Sequence, residues 1–303
     1  MGIGKSSLTM NPTTQQTCVV SGTGGYLGSR VKAALRAGGW KVVELTRRPQ
    51  PGANAIAFQL GEDVSAAALA GAKAVVHCAY DFKPLSWAAI QATNVAGSEK
   101  LLRAARQAGI QRSIYISSIS AFDGCRSLYG KAKLETEALA HSLGAMVIRP
   151  GLIWGDPPAG MFGRLVHQVE NARVLPLFGG GSQIQYLVHD QDLSRFVRRC
   201  AEGEFRLPSP TTPVTVAHEQ PWTFRQILEE IARSTGKRIT FLPFPWRLLW
   251  AGLKTLETCH VAMNFRSDSL LSLMHQNPNP SFAAQRELGL VCRPFHLQKT
   301  EVR

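Results

Sequence analysis

Short apolar runs alternate with helix-forming segments along the first half of the chain. Runs typical of buried parallel strands occur at residues 17–20, 40–45, 73–79, 113–118 and 145–148. Segments rich in helix formers separate them, at 29–37, 85–108 and 130–141, and an Ala-rich helix ends near Ala70. This alternation predicts an α/β fold with a doubly wound parallel sheet of the Rossmann type, whose ligands bind at the carboxyl ends of its strands.

The pattern changes in the second half of the chain. Beyond Gly155, repeated Pro and Gly residues divide it into short elements. We therefore expect a dinucleotide-binding domain at 17–155, to whose sheet the chain later returns, and a smaller substrate-binding lobe formed mostly by 156–303. Helices are predicted at 161–171, 190–201 and 223–236, with Asp190 and Thr223 as N-caps.

The most apolar and aromatic segment is 241–265. Prolines and charged residues interrupt it, so it does not suit a membrane span, which needs about 20 apolar residues. An amphipathic helix fits better, with one face formed by Leu248, Leu249, Gly252, Leu253 and Leu256. This helix is interpreted as a lid or core element, or else as a substrate entrance or a contact with a membrane surface or a partner protein.

A glycine-rich turn follows the first predicted strand. It contains Gly22, Gly25 and Gly28 in a Gly-x-x-Gly-x-x-Gly spacing, and a predicted helix begins directly after it. Without Cβ atoms the backbone can approach a pyrophosphate closely, and the helix N-terminus supplies N–H donors. A tight turn without a ligand is the alternative, but the position between strand and helix favours a dinucleotide site.

The end of the second predicted strand carries the residues that select the cofactor. An acidic residue here would hold a ribose 2′-hydroxyl, whereas arginine accommodates a 2′-phosphate. Thr46 occupies this position, and Arg47 and Arg48 follow it. The sequence therefore favours NADP over NAD, although Glu44 would reach the ribose if the register shifted.

Tyr129 and Lys133 are the candidate proton-transfer residues. Their spacing places both on one face of the helix predicted at 130–141. A fixed cation beside a phenol favours the phenolate, so we expect Lys133 to lower the pKa of Tyr129. Ser118, at the end of a predicted strand, could hydrogen-bond the same substrate oxygen. Taken alone, this spacing is more typical of a surface helix with an anchoring aromatic residue, and the other motifs change that balance.

Composition narrows the class of protein. The 303 residues are 45% hydrophobic and 18% charged, as expected for an ordinary soluble globular protein. The net charge of +13 suits an anionic ligand or an acidic surface, but the basic residues are scattered and do not indicate nucleic-acid binding. Six dispersed cysteines indicate reduced thiols in the cytoplasm and no metal site. Residues 1–16 are polar and are expected to form a disordered tail.

Taken in chain order, these motifs resemble the extended branch of the short-chain dehydrogenase/reductase superfamily, the NAD-dependent epimerase/dehydratase-like proteins. The resemblance covers about residues 17–290 and includes the glycine turn and the Tyr129–Lys133 pair. Further matching segments are Val75-Val76-His77-Cys78-Ala79, Asn94-Val95-Ala96-Gly97, Tyr115-Ile116-Ser117-Ser118 and Arg149-Pro150-Gly151.

The resemblance implies roles for individual residues. Tyr129 would be the acid/base, Lys133 would also hold the nicotinamide ribose, and Ser118 would bind the reacting oxygen. Asn94 would either support the site or be structural. The remaining cofactor-binding residues implied are the three glycines of the turn with Tyr26, Leu27, Asp63 for the adenine amino group, Ala79 and Pro150. A homodimer through the helices at 85–108 and 129–143 is also implied.

The predicted function is hydride transfer between NADP or NAD and a carbonyl or alcohol substrate. The interval from Ser118 to Tyr129 is short for a sugar-nucleotide enzyme, which favours a compact or apolar carbonyl. A sugar-nucleotide epimerase or dehydratase is the alternative within enzymes. A nucleotide-binding sensor or assembly factor without turnover is the alternative from another class.

Overall fold

The computed structural model describes residues 15–205, 211–259, 261 and 265–298. All but the last two residues of the predicted tail at 1–16 lie outside this range. So do four residues of the 241–265 segment.

Strands in the described residues build one large sheet and three small ones. In chain order the strands are β1 (Thr17–Ser21), β2 (Lys41–Thr46), β3 (Ala55–Ala57), β4 (Ala74–His77), β5 (Arg112–Ile116), β6 (Met146–Pro150), β7 (Leu152–Trp154), β8 (Val174–Phe178), β9 (Ile184–Gln185), β10 (Leu187–His189), β11 (Val214–Val216), β12 (Trp222–Thr223) and β13 (Thr240–Phe244). The large sheet has seven strands in the order β11-β6-β5-β4-β1-β2-β3. Every pairing within it is parallel, which confirms the predicted fold class.

Helices cover both faces of the sheet and form the second lobe. They are α1 (Tyr26–Ala37), α2 (Trp87–Ile90), α3 (Ala96–Gln107), α4 (Leu128–Ser142), α5 (Gly160–Asn171), α6 (Asp190–Glu202), α7 (Phe224–Ser234), α8 (Trp246–Thr258), α9 (Ser267–Met274) and α10 (Ala283–Glu287). Single 3₁₀ turns occur at Ala66–Leu69 and Gly179–Gly181. Within the described ranges, no helix is long and apolar enough to cross a membrane.

Alternation along β1 explains why helices are needed on both faces. Cys18 and Val20 point into a core that includes side chains of α1 and α6, whereas Val19 points into a second core with side chains of α3. Successive strand residues face opposite sides of a sheet, so an all-apolar strand must be covered twice. The central strands are therefore buried on both faces, and polar groups can meet ligands only at the strand ends.

The chain after Gly155 divides between the two lobes. β11 and α6 return to the first lobe by extending the sheet and packing against α1. α5, α7 and β8 form a separate apolar core in the second lobe. Thr223 is the N-cap of α7, with a reciprocal bond from Gln226, which confirms that prediction.

Several predicted boundaries were wrong. α1 begins at Tyr26, inside the glycine turn, and the single helix predicted at 85–108 is interrupted by a π-helical turn at Gln91–Val95. The Ala-rich segment forms only a 3₁₀ turn. His189, not Asp190, is the N-cap of α6, because the Asp190 carboxylate is bound by Tyr26 and Arg30 instead.

Two glycines in helices provide a test of packing. A Cβ at Gly97 of α3 would lie 2.4 Å from the backbone nitrogen of Gly61, whereas nothing lies within 4 Å of one at Gly252 of α8. We expect Gly97→Ala to lower the free energy of unfolding by about 1–3 kcal/mol through overpacking. Gly252→Ala should raise it by about 0.5–1 kcal/mol, since alanine favours a helix. Urea unfolding of both variants measures this, and equal effects would contradict the described contact.

Candidate functional site

The glycine turn after β1 leaves room for a diphosphate. Gly22 has a φ of +75°, and a Cβ there would lie 2.8 Å from the Ala79 nitrogen, while a Cβ on Gly28 would lie 2.1 Å from the Gly22 oxygen. Gly24 faces open space, and Gly25 is the N-cap of α1 with no side-chain hydrogen bond to the helix. Backbone N–H groups at the start of α1 are therefore free of a capping side chain. These features fit a dinucleotide pyrophosphate.

Tyr26 and Leu27 contribute to this turn mainly through their backbone. The Tyr26 hydroxyl donates a hydrogen bond to Asp190 Oδ2 at 2.9 Å, and Arg30 Nε lies 2.8 Å from the same oxygen. Burial and this carboxylate raise the pKa of Tyr26 to about 12. Leu27 packs against the core shared with α6. Both side chains thus hold the turn against α6, and their N–H groups lie in the first turn of α1.

The end of β2 lies beside the glycine turn. Ser21 pairs with Leu45, which places Thr46 level with Gly22, and Arg47 and Arg48 follow it exposed to solvent. The alternative residue, Glu44, is bound by Lys32 at 3.1 Å and by Arg36 at 3.0 Å. Burial raises its pKa, but these cations and a hydrogen bond with Thr23 outweigh burial and hold the pKa below its usual value. The Glu44 carboxylate is therefore already paired with two cations of α1.

Asp63 and Pro150 occupy different surroundings. The Asp63 carboxylate is 89% exposed and forms an ion pair of 3.0 Å with Lys100. The structure does not bring it into contact with the glycine turn or with Tyr129 among the interactions described.

Pro150 is buried at the carboxyl end of β6, and its carbonyl accepts a hydrogen bond from the N–H of Ile119, the residue after Ser118. Pro150 thus lies beside the strand end that carries Ser118.

Tyr129, Ser118 and Lys133 come together as predicted, but their electrostatics differ from the prediction. Burial raises the pKa of the Tyr129 phenol, and a hydrogen bond with the Ser118 hydroxyl partly opposes this. Lys133 Nζ donates to the Ile116 carbonyl at 2.8 Å and lies 5.9 Å from the centre of the Tyr129 ring. Burial lowers the pKa of Lys133 itself to about 8. The expectation that Lys133 lowers the Tyr129 pKa is therefore wrong for this arrangement, because the ammonium is directed at a carbonyl.

Aromatic side chains surround the Tyr129 ring. Tyr80 lies edge-on at 4.9 Å between ring centres, and Phe82 stacks at 5.7 Å. Lys133 Nζ also lies 5.2 Å from the centre of the Tyr80 ring. Phe82 is 60% exposed. The loop after β4 thus gives the candidate site a wall that is apolar and partly open to solvent.

Asn94 holds this loop in place. Its Oδ1 accepts a hydrogen bond from the Asp81 N–H at 2.7 Å, and its Nδ2 donates to the Asp81 carbonyl at 2.9 Å. The side chain is 1% exposed and lies in the π-helical turn between α2 and α3. These bonds engage both ends of the amide. Of the two roles left open by the sequence, the described contacts are those of a residue that positions the aromatic wall.

A buried hydrogen-bond relay joins the glycine turn to Asn94. His77 Nδ1 lies 2.7 Å from Ser21 Oγ and its Nε2 lies 2.8 Å from Ser98 Oγ, whose hydroxyl donates to the Asn94 carbonyl at 2.6 Å. Ser98 must therefore accept from Nε2–H, which leaves Nδ1 to accept from Ser21. Ser21 Oγ in turn accepts from the Ala79 N–H at 3.3 Å. Burial lowers the pKa of His77 to about 3, so the imidazole is neutral.

Two charged residues from the second lobe reach the site, and sequence reasoning missed both. Asp268 of α9 accepts hydrogen bonds from the N–H groups of Leu128 and Tyr129, at 2.7 and 3.0 Å, at the start of α4. Arg266 donates to the carbonyls of Phe82 and Pro84 in the aromatic loop. A carboxylate at a helix N-terminus stabilises the helix. No local spacing indicates these contacts, because their partners are far apart in the sequence.

A fold with a glycine turn at a helix N-terminus and a Tyr-x-x-x-Lys pair at the neighbouring strand ends defines a dinucleotide-binding protein of the short-chain dehydrogenase/reductase type. The model of the NAD dependent epimerase/dehydratase family matches residues 18–211. The chain belongs to this family.

Known proteins resemble the chain at low identity. A 3 beta-hydroxysteroid dehydrogenase/Delta 5-->4-isomerase of Mycobacterium tuberculosis is 27% identical over 56% of this chain and 58% of that protein, so the chain spans less than two thirds of its length. A ceramide reductase of Caulobacter vibrioides is 24% identical over 88% of this chain and 87% of that protein. The solved structure of MoeE5 in complex with UDP-glucuronic acid and NAD superposes with a TM-score of 0.65 at 22% identity, over 76% of this chain and 85% of that chain. This likeness shows the fold.

The His77 relay predicts how stability depends on pH. Its folded pKa of about 3 lies below the unfolded value of 6.5, so only the unfolded chain takes up a proton as the pH falls through this window. The stabilisation is complete above pH 6.5, and about 2–3 kcal/mol should be lost by about pH 4.5. His77→Asn should flatten this dependence, measured by urea unfolding at a series of pH values. Exposed His167→Asn is the control, and an unchanged pH slope in His77→Asn would contradict the assignment.

Proposed function

We propose that this protein is an NADP-preferring oxidoreductase that transfers a hydride between the nicotinamide and the carbonyl or alcohol carbon of an apolar, lipid-like substrate. The observation that carries the proposal is the Tyr129 phenol, whose pKa responds to the nearby Ser118 hydroxyl and whose ring contacts the aromatic rings of Tyr80 and Phe82. This arrangement combines a proton donor with an apolar wall. Both features suit a carbonyl group on a hydrophobic molecule.

The residues of this chain would handle the substrate oxygen and its proton. In reduction, the substrate carbonyl oxygen accepts hydrogen bonds from Ser118 Oγ and the Tyr129 hydroxyl, and Tyr129 gives its proton to the alkoxide that develops. The dinucleotide supplies the hydride that reaches the carbonyl carbon. The Lys133 ammonium, held at the Ile116 carbonyl, contributes positive charge 5.9 Å from the centre of the Tyr129 ring. Alcohol oxidation is the same sequence reversed.

The protonation states of Tyr129 and Lys133 at neutral pH suit reduction of a carbonyl group. Burial raises the pKa of Tyr129, so at neutral pH the phenol holds its proton and is ready to donate it. Burial lowers the pKa of Lys133 to about 8, so its positive charge is present at neutral pH and is lost in alkaline solution. A proton donor beside a cation matches the charge that forms on the oxygen of a reduced carbonyl.

Three observations support an apolar substrate. Tyr80 and Phe82 line the site, and Leu85, 38% exposed, follows in the same loop. The relatives whose names mention a substrate include a hydroxysteroid dehydrogenase and a ceramide reductase. Steroids and ceramides are lipids that carry the type of hydroxyl or carbonyl group that Tyr129 and Ser118 can bind.

The alternative is a sugar-nucleotide epimerase or dehydratase. The family description and a fold neighbour bound to UDP-glucuronic acid support this reaction class. Both classes use a tyrosine and a nicotinamide, so the substrate separates them. Conversion of a UDP-hexose without net change in the cofactor would favour the alternative. Tight nucleotide binding with no turnover on any substrate would favour a sensor or assembly factor.

Tyr129→Phe tests the proton donor. We expect cofactor affinity to stay nearly constant and the rate of ketone reduction to fall by about 10²- to 10⁴-fold, because the general acid is lost. The assay follows NADPH oxidation with a steroid ketone and a long-chain ketone, and includes UDP-glucose for the alternative. Tyr186→Phe, which removes a hydroxyl that donates to the Pro278 carbonyl, is the matched control. A Tyr129→Phe protein as active as Tyr186→Phe would refute the role.

The cofactor preference is tested by Arg47→Ala combined with Arg48→Ala. Removing both guanidinium groups should weaken NADPH binding by about tenfold or more and leave NADH binding nearly unchanged, since only NADPH carries the 2′-phosphate. Fluorescence titration of each nucleotide measures the two affinities. Arg195→Ala combined with Arg225→Ala removes two exposed arginines elsewhere and serves as the control. Equal losses for both nucleotides would count against NADP.

A further inference from the structure

Five exposed apolar side chains lie on two consecutive elements of the second lobe, the β8–β13 sheet and α8, and we call them the outer patch: Val174, Leu242, Phe244, Leu248 and Leu256. Their exposed fractions are 54%, 55%, 38%, 66% and 41%. The first three belong to the small parallel sheet of β8 and β13, in which Val174 is level with Thr240, so that Leu242 and Phe244 follow on the same face. Pro245 then leads directly into α8, which carries the other two.

α8 is amphipathic, as predicted, but its buried face differs from the predicted one. Its inward face packs Leu249 and Leu253 against Phe178 and Leu270. Leu248 and Leu256, predicted on that same face, point outward instead. The predicted face was therefore wrong, because the inward contacts are made by a stripe that also includes Trp246 and Trp250.

The outward face of α8 consists of uncharged residues, and basic residues lie next to it. At helical spacing it contains Leu248, Gly252, Thr255, Leu256 and Cys259, all exposed. Arg247 and Lys254 lie along one side of it. The acidic residue of this helix, Glu257, is buried and accepts hydrogen bonds from Ser267, and the exposed Lys254 ammonium lies 3.9 Å from its carboxylate. Lys237 and Arg238 add positive charge just before β13.

We propose that the outer patch docks on the surface of an anionic lipid bilayer. Leu242, Phe244, Leu248 and Leu256 would enter the headgroup boundary, and Arg247 and Lys254 would pair with lipid phosphates. An uncharged helical stripe bordered by basic residues is the pattern of helices that lie in a membrane interface. The net charge of +13 attracts the whole protein to a negative surface.

Charge argues against a second copy of this chain as the occupant. In a two-fold dimer the same surface meets itself, so a dimer through the outer patch would place Arg247 and Lys254 of both copies in one interface. Like charges placed in this way repel. A dimer through α3 and α4, as implied by the family resemblance, would leave the outer patch free.

The segment after α8 connects the outer patch to the candidate site. The segment that follows α8 carries Arg266, which holds the Phe82 loop, and Asp268, which holds the start of α4. Phe82 and Leu85 are themselves exposed in that loop. Uptake of a lipid substrate from the membrane rests on the proposed function, whereas the docking itself does not.

Vesicle sedimentation with the full chain tests the docking. We expect the protein to sediment with equimolar phosphatidylglycerol and phosphatidylcholine vesicles at low salt, and much less with phosphatidylcholine alone. Arg247→Gln combined with Lys254→Gln should weaken binding about 30-fold, from the usual contribution of each basic residue at an anionic surface. Leu248→Ser combined with Leu256→Ser should weaken it by about tenfold or more. Val291→Ser, at an 87% exposed position outside the patch, should bind like the unaltered chain.

The outcomes separate the docking from the reaction. The vesicles contain no substrate, and Tyr129→Phe should sediment normally, so a failed enzyme assay leaves the docking test intact. Nucleotide affinity and melting temperature of each variant show that it is folded. Absence of sedimentation with anionic vesicles would overturn the proposal, as would equal loss in Val291→Ser. Sedimentation velocity without lipid tests the competing occupant, a second copy of this chain. An oligomer of the unaltered chain that dissociates in the Leu248→Ser, Leu256→Ser variant would assign the patch to that second copy and overturn the proposal.

Discussion

Close backbone contact at the glycine turn determines where the rest of the site lies. Gly22 approaches Ala79 and Gly28 approaches Gly22 at distances that leave no space for a Cβ atom. At these two glycines, the ends of β1 and β4 and the start of α1 therefore approach one another too closely for a side chain. Ser21 lies in the same corner and bonds both the Ala79 amide and His77. The turn that suits a pyrophosphate thus also sets the position of the loop that carries Tyr80 and Phe82 beside Tyr129.

Burial gives the candidate site its acid–base character. Removing a phenol from water penalises its anion, and removing an amine from water penalises its cation, so burial raises the pKa of the first and lowers that of the second. The pKa of Tyr129 is accordingly raised, while that of Lys133 falls to about 8. Ser118 acts in the opposite direction on Tyr129 because a hydrogen bond to the phenol oxygen favours its ionised form. The pKa of the Tyr129 phenol is thus set by two opposing effects, exclusion of solvent and the hydrogen bond with the Ser118 hydroxyl.

Local patterns were sufficient to predict the sheet, the glycine turn and the meeting of Ser118, Tyr129 and Lys133. Each of these depends on spacing within one strand, turn or helix, and such spacing is visible in the sequence. Contacts between distant segments were not predictable in this way. Asp190 could serve as an N-cap by its position, but Tyr26 and Arg30 bind it from the other end of the domain. The direction of the Tyr129 pKa depends on how deeply the packed chain buries the phenol, which no spacing reveals.

The Asp268 contact has a consequence for how such proteins diversify. The carboxylate that stabilises the start of α4 is supplied from the far end of the chain, after the residues that shape the second lobe. The helix bearing Tyr129 is therefore completed by a residue of the second lobe. A second lobe exchanged for that of a relative would have to bring an equivalent acceptor to the same two amides, or the start of this helix would lose its carboxylate.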